Sequence, residues 1–167
     1  MKTKCKLNRS FLLALSLSLS LLLSCSQRPS PISYQEVDSK LQSAKTTGAL
    51  IFIYSTDCKL CLEQIPVVNK IKDSLKQNGF EVLAVSIDDI EDKFSTYLNK
   101  NKVSFKPLIL KNKAVGGLTS LLARYSGLYK NSVPYSAVMN RSGKIIKEWT
   151  GHASFEEYVH WIQKAAN

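Results

Sequence analysis

Metal ligands and disulfide partners are scarce in this sequence, which holds four cysteines and two histidines in 167 residues. Structural zinc sites usually take four ligands, and His152 and His160 do not have a zinc-finger spacing. A long apolar run is also missing, because Phe11–Leu23 would span about 20 Å as a helix against a bilayer core of about 30 Å. These absences argue against a zinc-stabilised fold and against a transmembrane helix.

Acidic residues are the scarcer charged class, at 13 against 23 basic residues, so the net charge is +10. The usual anionic partners of a basic chain are nucleic acid and anionic lipid headgroups. The lysines are scattered and no nucleic-acid recognition motif is present, so we expect no nucleic-acid partner. The hydrophobic fraction of 44% and the charged fraction of 22% are typical of a globular protein and exclude a disordered chain.

The N-terminal segment has the organisation of an export signal. Residues 1–10 are basic and contain no acid, and Phe11–Leu23 is apolar but short. The next residues complete the run Leu22-Leu23-Ser24-Cys25, which resembles the bacterial lipobox. That resemblance implies cleavage before Cys25 and acylation of its thiol. The alternative is an ordinary cleaved signal peptide with an incidental cysteine.

This organisation predicts three parts of the chain. We expect a lipoprotein signal peptide over residues 1–24, a lipid-anchored tether over 25–33 and a folded domain over 34–167. Several acyl chains on one residue give a stable anchor, so the domain would stay outside the cytoplasm at a bacterial membrane. That membrane is either the inner or the outer one, and the domain faces the periplasm in a double-membraned cell.

One cysteine pair remains for the folded domain, because Cys5 leaves with the signal peptide and Cys25 is assigned to lipid. A bridge between Cys58 and Cys61 closes too short a loop to remove much chain entropy, which disfavours a purely structural disulfide. Protein disulfides exist in exported compartments, so a redox-active pair is the favoured interpretation. The competing interpretation is a binding module, since a cysteine pair also holds soft ions such as Cu(I).

Strand-like and helix-like segments alternate along the domain. Ala49–Tyr54 and Phe80–Ile87 are apolar runs rich in β-forming residues, typical of buried strands. The helix-like segment between them makes a strand–helix–strand unit and predicts a parallel pair. The remaining predicted elements are a helix over Tyr34–Lys45, a helix-like stretch within Asp88–Lys102, a short strand over Pro107–Leu110, a helix over Leu118–Tyr125, a hairpin over 135–150 and a last helix capped by Ser154.

Several motifs carry a resemblance to a known fold. They are, in chain order, Cys58-Lys59-Leu60-Cys61 after a buried strand, Pro66 five residues later, Val133-Pro134 before the hairpin, Gly143 in its turn, and Gly151 before the last helix. Over about residues 34–165 this order resembles the thioredoxin fold. Asp88 to about Lys113 is similar to the central insert of exported TlpA-like members.

The resemblance implies an α/β fold with a central mixed sheet, flanking helices and a TlpA-like insert. It implies a thiol-disulfide oxidoreductase without cofactor or metal that leans towards reducing protein disulfides. Its partners would be protein thiols or disulfides, an upstream membrane thiol that donates or accepts electrons, and the membrane itself through the lipid anchor.

The resemblance also assigns roles to four residues. Cys58 is the nucleophile, since the N-terminus of a helix stabilises a thiolate. Cys61, one helical turn further on and more buried, resolves the mixed disulfide. Val133 and Pro134, joined by a cis peptide bond, present backbone to an extended substrate chain.

Three positions depart from the family pattern. Asp57 replaces the tryptophan that commonly precedes the first cysteine, and Phe52 stands where thioredoxins carry a buried aspartate. Gln64 occupies the position where TlpA-like reductases often carry a glutamate that assists proton transfer. Glu63 is adjacent but points about 100° away around the helix. These departures leave the reaction type intact and affect its expected rate and direction.

Overall fold

The computed structural model describes residues 31–75, 79–88, 96–98, 100–101, 103–111 and 116–167. The predicted signal peptide, Cys25 and residues 26–30 of the predicted tether lie outside them. The strands are β1 (Pro31–Ile32), β2 (Ala49–Tyr54), β3 (Glu81–Ser86), β4 (Pro107–Leu110), β5 (Tyr135–Met139) and β6 (Ile145–Thr150). The helices are α1 (Tyr34–Ser43), continued by a 3-10 turn (Ala44–Thr46), α2 (Lys59–Ser74), α3 (Gly117–Ala123) and α4 (Phe155–Ala166), and residues 96–98 and 100–101 are also helical.

The strands of the described part form one mixed sheet in the order β1-β4-β3-β2-β5-β6. The strand–helix–strand unit pairs β2 with β3 in parallel, as the sequence predicts, and β5 adds to the other side of β2 in antiparallel orientation. The short predicted strand is β4, which pairs in parallel with β3. The predicted mixed sheet with flanking helices is therefore confirmed, while the predicted TlpA-like insert lies only partly within the described residues.

The central strand β2 is buried along its whole length because helices cover both faces of the sheet. Side chains of successive strand residues point to opposite faces. Ile51 and Ile53 accordingly pack in the core that contains α1 and α3, whereas Leu50, Phe52 and Tyr54 pack in the core that contains α2 and α4. The first turn of α2 therefore rests on the same core as Tyr54, at the end of β2.

The sheet begins earlier than the predicted domain boundary at residue 34. Pro31 and Ile32, which the sequence places in the tether, form β1 and pair in parallel with β4. The Lys111 backbone N–H donates to the Ile32 carbonyl at 2.7 Å. A two-residue strand at the edge of a sheet carries no hydrophobic periodicity, so its sequence does not distinguish it from a proline-containing linker. The end of the predicted tether is thus part of the fold.

Helix α2 carries both site cysteines at its start. It runs unbroken through Pro66 and ends at Ser74. At the far end of the chain, Ser154 caps α4 as predicted, in a capping box with Glu157. None of the helices in the described ranges is both long and apolar enough to cross a membrane.

Candidate active site

The two site cysteines lie where the parallel strands β2 and β3 end. The chain leaves β2 through Ser55, Thr56 and Asp57, and the Cys58 backbone N–H donates to the Ser55 carbonyl at 3.3 Å. This contact closes a tight turn, which we call the Ser55–Cys58 turn. Cys58 follows as the N-cap of α2.

The Cys58 sulfur takes part in the capping of α2. The Cys61 backbone N–H donates to Cys58 Sγ at 3.2 Å, which satisfies one of the free N–H groups at the start of the helix. A backbone donor aimed at sulfur, together with the helix dipole, is the arrangement that stabilises a thiolate. Cys58 is partly exposed and Cys61 is fully buried, and both are free thiols.

Burial makes the Cys61 thiol a weaker acid than an ordinary cysteine. Removal from water is the largest effect and, with the hydrogen bond to Cys58 and the charges of Cys58 and Asp88, it raises the pKa of the Cys61 thiol to about 12. Cys61 therefore stays protonated at neutral pH. A thiol that is protonated and buried does not attack an external disulfide first, which suits it to the second step of an exchange.

The raised pKa of Cys61 predicts slow alkylation. In a Cys58→Ser variant, which keeps the burial, iodoacetamide should modify Cys61 very slowly at about pH 8, and the rate should still be rising at about pH 10–11. The same variant unfolded in urea should react far faster, with an inflection near the ordinary pKa of 9. Equal alkylation rates of Cys61 in folded and unfolded protein at about pH 8 would contradict the raised pKa.

The raised pKa of Cys61 also makes the stability of the fold depend on pH. Because the fold favours the neutral thiol, the contribution of Cys61 to the free energy of unfolding is full below about pH 9 and is lost as the pH rises towards about 12.

The loop before β5 faces the first cysteine. The Val133–Pro134 peptide bond is cis, and the Cys58 thiol donates to the Val133 carbonyl at 3.7 Å. The Pro134 carbonyl accepts from the Gly151 backbone N–H at 2.8 Å, which fixes this loop to the end of β6. The cis bond and its position opposite Cys58 are those that the family resemblance implies, while contact of Val133 and Pro134 with a substrate chain stays a prediction.

Gln64, which stands where TlpA-like reductases often carry a glutamate, is buried in α2 and binds neighbouring elements. Its Nε2 donates to the Ala153 carbonyl at 2.8 Å and to the Tyr158 hydroxyl at 3.2 Å, and its Oε1 accepts from the Ala153 N–H at 3.2 Å. Its side chain is 0% exposed. Glu63 is less buried than Gln64 and lies 3.9 Å from the Lys59 ammonium group, which fits the prediction that it points away from the thiols.

Replacing Gln64 with leucine should destabilise the fold. The change leaves the buried N–H and C=O of Ala153 and one bond of the Tyr158 hydroxyl unmade, and each unsatisfied buried group costs about 1–3 kcal/mol. We expect a loss of about 2–4 kcal/mol in the free energy of unfolding, measured by urea denaturation. Gln35→Leu is the matched control, since Gln35 is exposed on α1 and its change should stay within about 0.5 kcal/mol. Similar losses for both variants would show that the Gln64 contacts add nothing.

A buried carboxylate beside the thiols is the main feature that sequence patterns do not reveal. Asp88 follows β3 and is only 8% exposed. Its Oδ1 accepts from Ser55 Oγ at 2.7 Å and from the Thr56 N–H at 2.8 Å, and its Oδ2 accepts from Ser86 Oγ at 2.5 Å. Its place just after a buried strand is the sequence signal that could have indicated this site, because the ends of neighbouring parallel strands meet at one edge of a sheet.

The other residues that the sequence singles out lie at the surface, in the Ser55–Cys58 turn or in the core. Both histidines are exposed, and the His160 ring packs edge-on against Trp161 with centroids 5.7 Å apart. Asp57 is exposed, and its backbone N–H donates to Ser55 Oγ at 3.2 Å. Phe52 stacks on Tyr54 at 5.0 Å, so this position is part of the apolar core. The site therefore consists of the two thiols, the Val133–Pro134 loop and the Asp88 carboxylate.

Comparison with known proteins finds a transfer operon family and proteins named for thiol-disulfide chemistry. Residues 26–108 match the family model of TraF, the F plasmid transfer operon protein. The chain is 23% identical over 125 residues to thiol-disulfide oxidoreductase ResA of a Bacillus cereus strain, covering 75% of this chain and 67% of that protein. It is 22% identical over 130 residues to ResA of Halalkalibacterium halodurans, covering 76% and 69%.

Solved structures show the same fold. A thiol:disulfide interchange protein of the thioredoxin family from Chlorobium tepidum TLS superposes with a TM-score of 0.62 at 16% identity, covering 75% of this chain and 84% of that one. The pneumococcal exposed lipoprotein thioredoxin from Streptococcus pneumoniae superposes with a TM-score of 0.57 at 19% identity, covering 74% and 89%. The fold expected from the sequence motifs is thereby confirmed.

Proposed function

We propose that this chain, a thioredoxin-fold thiol-disulfide oxidoreductase, exchanges disulfides with client proteins outside the cytoplasm through Cys58 and Cys61. The observation that carries the proposal is the asymmetry of the pair. Cys58 Sγ is partly exposed and accepts a backbone hydrogen bond at the start of α2, whereas Cys61 is buried with its pKa raised to about 12. One thiol is thus placed to attack and the other to resolve.

The proposed exchange conserves atoms and electrons over two steps. The Cys58 thiolate attacks one sulfur of a client disulfide, which forms a mixed disulfide and releases the other client sulfur as a thiolate that takes up a proton. Cys61 then loses its proton and attacks the Cys58 sulfur, which releases the second client thiol. The client gains two electrons and two protons, and the enzyme is left with a Cys58–Cys61 disulfide.

The Val133–Pro134 loop is the proposed contact for the client chain. The Val133 carbonyl lies 3.7 Å from Cys58 Sγ, so backbone held against this loop would bring its own sulfur next to the nucleophile. An extended peptide can bind such an edge through main-chain hydrogen bonds, with little demand on its side chains. We therefore propose that Val133 and Pro134 bind clients of varied sequence.

The proposed location is the outer face of a bacterial membrane, with Cys25 as the lipid anchor. The basic and apolar N-terminal regions and the lipobox-like residues support this location, and one structural neighbour is named an exposed lipoprotein. Residues 26–30 would separate the anchor from β1, and an extended chain of that length reaches about 17 Å. The thiols would then work close to the membrane surface, where a membrane thiol could supply or accept electrons.

The proposed direction is reduction of client disulfides, as the TlpA-like resemblance implies. Gln64, in place of the glutamate often found there, carries no ionisable group and binds Ala153 and Tyr158 instead. Asp88 accepts hydrogen bonds from Ser55, Thr56 and Ser86, so deprotonation of Cys61 would depend on the leaving client thiolate or on water. We expect the resolving step to be the slower one as a consequence.

Equilibration with glutathione buffers tests this function. The oxidised fraction of the Cys58–Cys61 pair should follow a two-electron curve, with a tenfold change in equilibrium constant for about 30 mV. The reduced protein should also reduce insulin, while Cys58→Ser should do neither. Tight Cu(I) binding without reduction of insulin would favour the binding module instead.

A further inference from the structure

The Asp88 carboxylate accepts hydrogen bonds from the turn that presents the nucleophile. Ser55 Oγ donates to its Oδ1 at 2.7 Å, and the Thr56 backbone N–H donates to the same oxygen at 2.8 Å. One carboxylate oxygen thus accepts from two consecutive residues. Both distances are short for hydrogen bonds of their kind, so this oxygen holds the two residues closely.

The carboxylate is itself held in place. Its second oxygen accepts from Ser86 Oγ at 2.5 Å, and Ser86 Oγ accepts from the Asp88 backbone N–H at 3.1 Å. Ser86 is the last residue of β3, and its partner in the register is Tyr54 at the end of β2. Asp88 is therefore fixed to the central sheet. Its hydrogen bonds to Ser55 and Thr56 in turn hold the irregular chain that follows β2.

A short series of contacts links Asp88 to Cys58. Ser55 Oγ, which donates to Asp88, accepts from the Asp57 backbone N–H at 3.2 Å, and the Ser55 carbonyl accepts from the Cys58 N–H at 3.3 Å. The position of Ser55 therefore fixes the position of Cys58, the N-cap of α2. A displacement of Ser55 would move Cys58 Sγ relative to both the Cys61 N–H and the Val133 carbonyl.

We propose that Asp88 is a positioning residue for thiol–disulfide exchange, which holds the Ser55–Cys58 turn so that the Cys58 sulfur stays at the N-terminus of α2. This inference rests on the proposed function of the cysteine pair. It assigns to Asp88 no contact with the client and no proton transfer. Its charge is one of the lesser influences on the Cys61 thiol, after burial and the Cys58 hydrogen bond.

The test compares three variants of the contact between Asp88 and Ser55 in a full-length protein that carries Cys5→Ser, Cys25→Ser and Cys61→Ser, so that Cys58 is the remaining thiol. The measured quantity is the second-order rate constant for attack on a chromogenic aromatic disulfide. Asp88→Ala removes both acceptor oxygens and should slow attack by about tenfold or more, because small displacements of reacting groups have large kinetic effects. Asp88→Asn keeps an acceptor for Ser55 and Thr56 and should restore the rate to within about threefold. Ser55→Ala should lie between them.

Tyr125→Phe is the control for loss of stability alone. The Tyr125 hydroxyl donates to Asp38 Oδ1 at 2.5 Å and accepts from Gln42 Nε2 at 2.8 Å, and the variant loses both bonds. Tyr125 packs in the core on one face of the sheet, whereas Cys61 packs in the core on the other. The variant should leave the rate of attack unchanged even where it lowers the unfolding temperature. A folded Asp88→Ala protein with the parent rate would overturn the proposal, as would Asp88→Asn reacting as slowly as Asp88→Ala.

Three further outcomes distinguish failure of this inference from failure of the proposed function. If Asp88→Ala does not fold, the folded Ser55→Ala protein decides: slowed attack supports the proposal and an unchanged rate overturns it. If the parent protein leaves the aromatic disulfide intact, the proposed function fails, and with it the premise of this inference. An active parent with unaffected turn variants contradicts the role of Asp88 alone.

Discussion

Cys58→Ser is expected to abolish disulfide exchange, and Cys61→Ser is expected to accumulate covalent complexes with client proteins. Serine is not a nucleophile towards disulfides at neutral pH, so loss of the Cys58 thiol should reduce the rate on the order of a thousandfold or more. Cys61→Ser keeps the backbone N–H that donates to Cys58 Sγ at 3.2 Å, so attack should proceed. Without a resolving thiol the mixed disulfide persists. Non-reducing electrophoresis and mass spectrometry measure both outcomes.

The double variant Cys58→Ser/Cys61→Ser is the control for trapping by other means, and it should yield no complexes. Trapping should also disappear on treatment with a small thiol, since only a disulfide holds the client. The assigned roles would be wrong if Cys58→Ser traps clients and Cys61→Ser does not. They would also be wrong if Cys61 is alkylated faster than Cys58 in the folded protein at neutral pH.

Cys25→Ser is expected to abolish membrane anchoring in the bacterial cell. Acylation needs the thiol, so the variant should either be released from the membrane or remain unprocessed with its signal peptide. The effect should be close to complete, because a lipid anchor with several acyl chains holds a protein firmly and its loss leaves only weak surface attraction. Fractionation of cells followed by mass spectrometry of the mature N-terminus measures it.

Cys5→Ser is the matched control for this experiment, since it changes a cysteine that the predicted cleavage removes. It should leave the protein in the membrane fraction with the same mature mass. Mature protein that starts at another residue, or that carries an unmodified Cys25, would rule out the lipid anchor. The exchange chemistry of Cys58 and Cys61 would be unaffected by that result.

The core strands and the cysteine pair are predictable from sequence because each has a strong local pattern. Ala49–Tyr54 is an uninterrupted apolar run, and the structure buries every residue of it. The polar residues 55–57 between that run and the cysteine pair are of the types that precede helices, and the structure starts α2 there with Cys58 as the N-cap. Ser154 with Glu157 is a capping box that marks the start of α4.

Features that depend on distant contacts are not predictable in this way. Strand β1 has two residues and forms only because β4, far later in the chain, offers an edge with which it pairs. Asp88 is an ordinary acid in a polar stretch until the parallel pairing of β2 and β3 brings it to Ser55. The burial of Gln64 likewise depends on distant residues, because Ala153 and Tyr158, far along the chain, bind its amide in the interior.

Mass spectrometry of one stoichiometric exchange tests most directly whether Cys58 and Cys61 act together as the redox pair. The fully reduced protein is mixed with an equal amount of a client that has a single disulfide, and the reaction is stopped with acid before peptide mapping. We expect the peptide containing Cys58 and Cys61 to lose two hydrogen atoms, while the client gains two thiols in equal amount. A client that becomes reduced while Cys58 and Cys61 remain thiols would contradict it. A cysteine pair that stays reduced beside an intact client would contradict it as well.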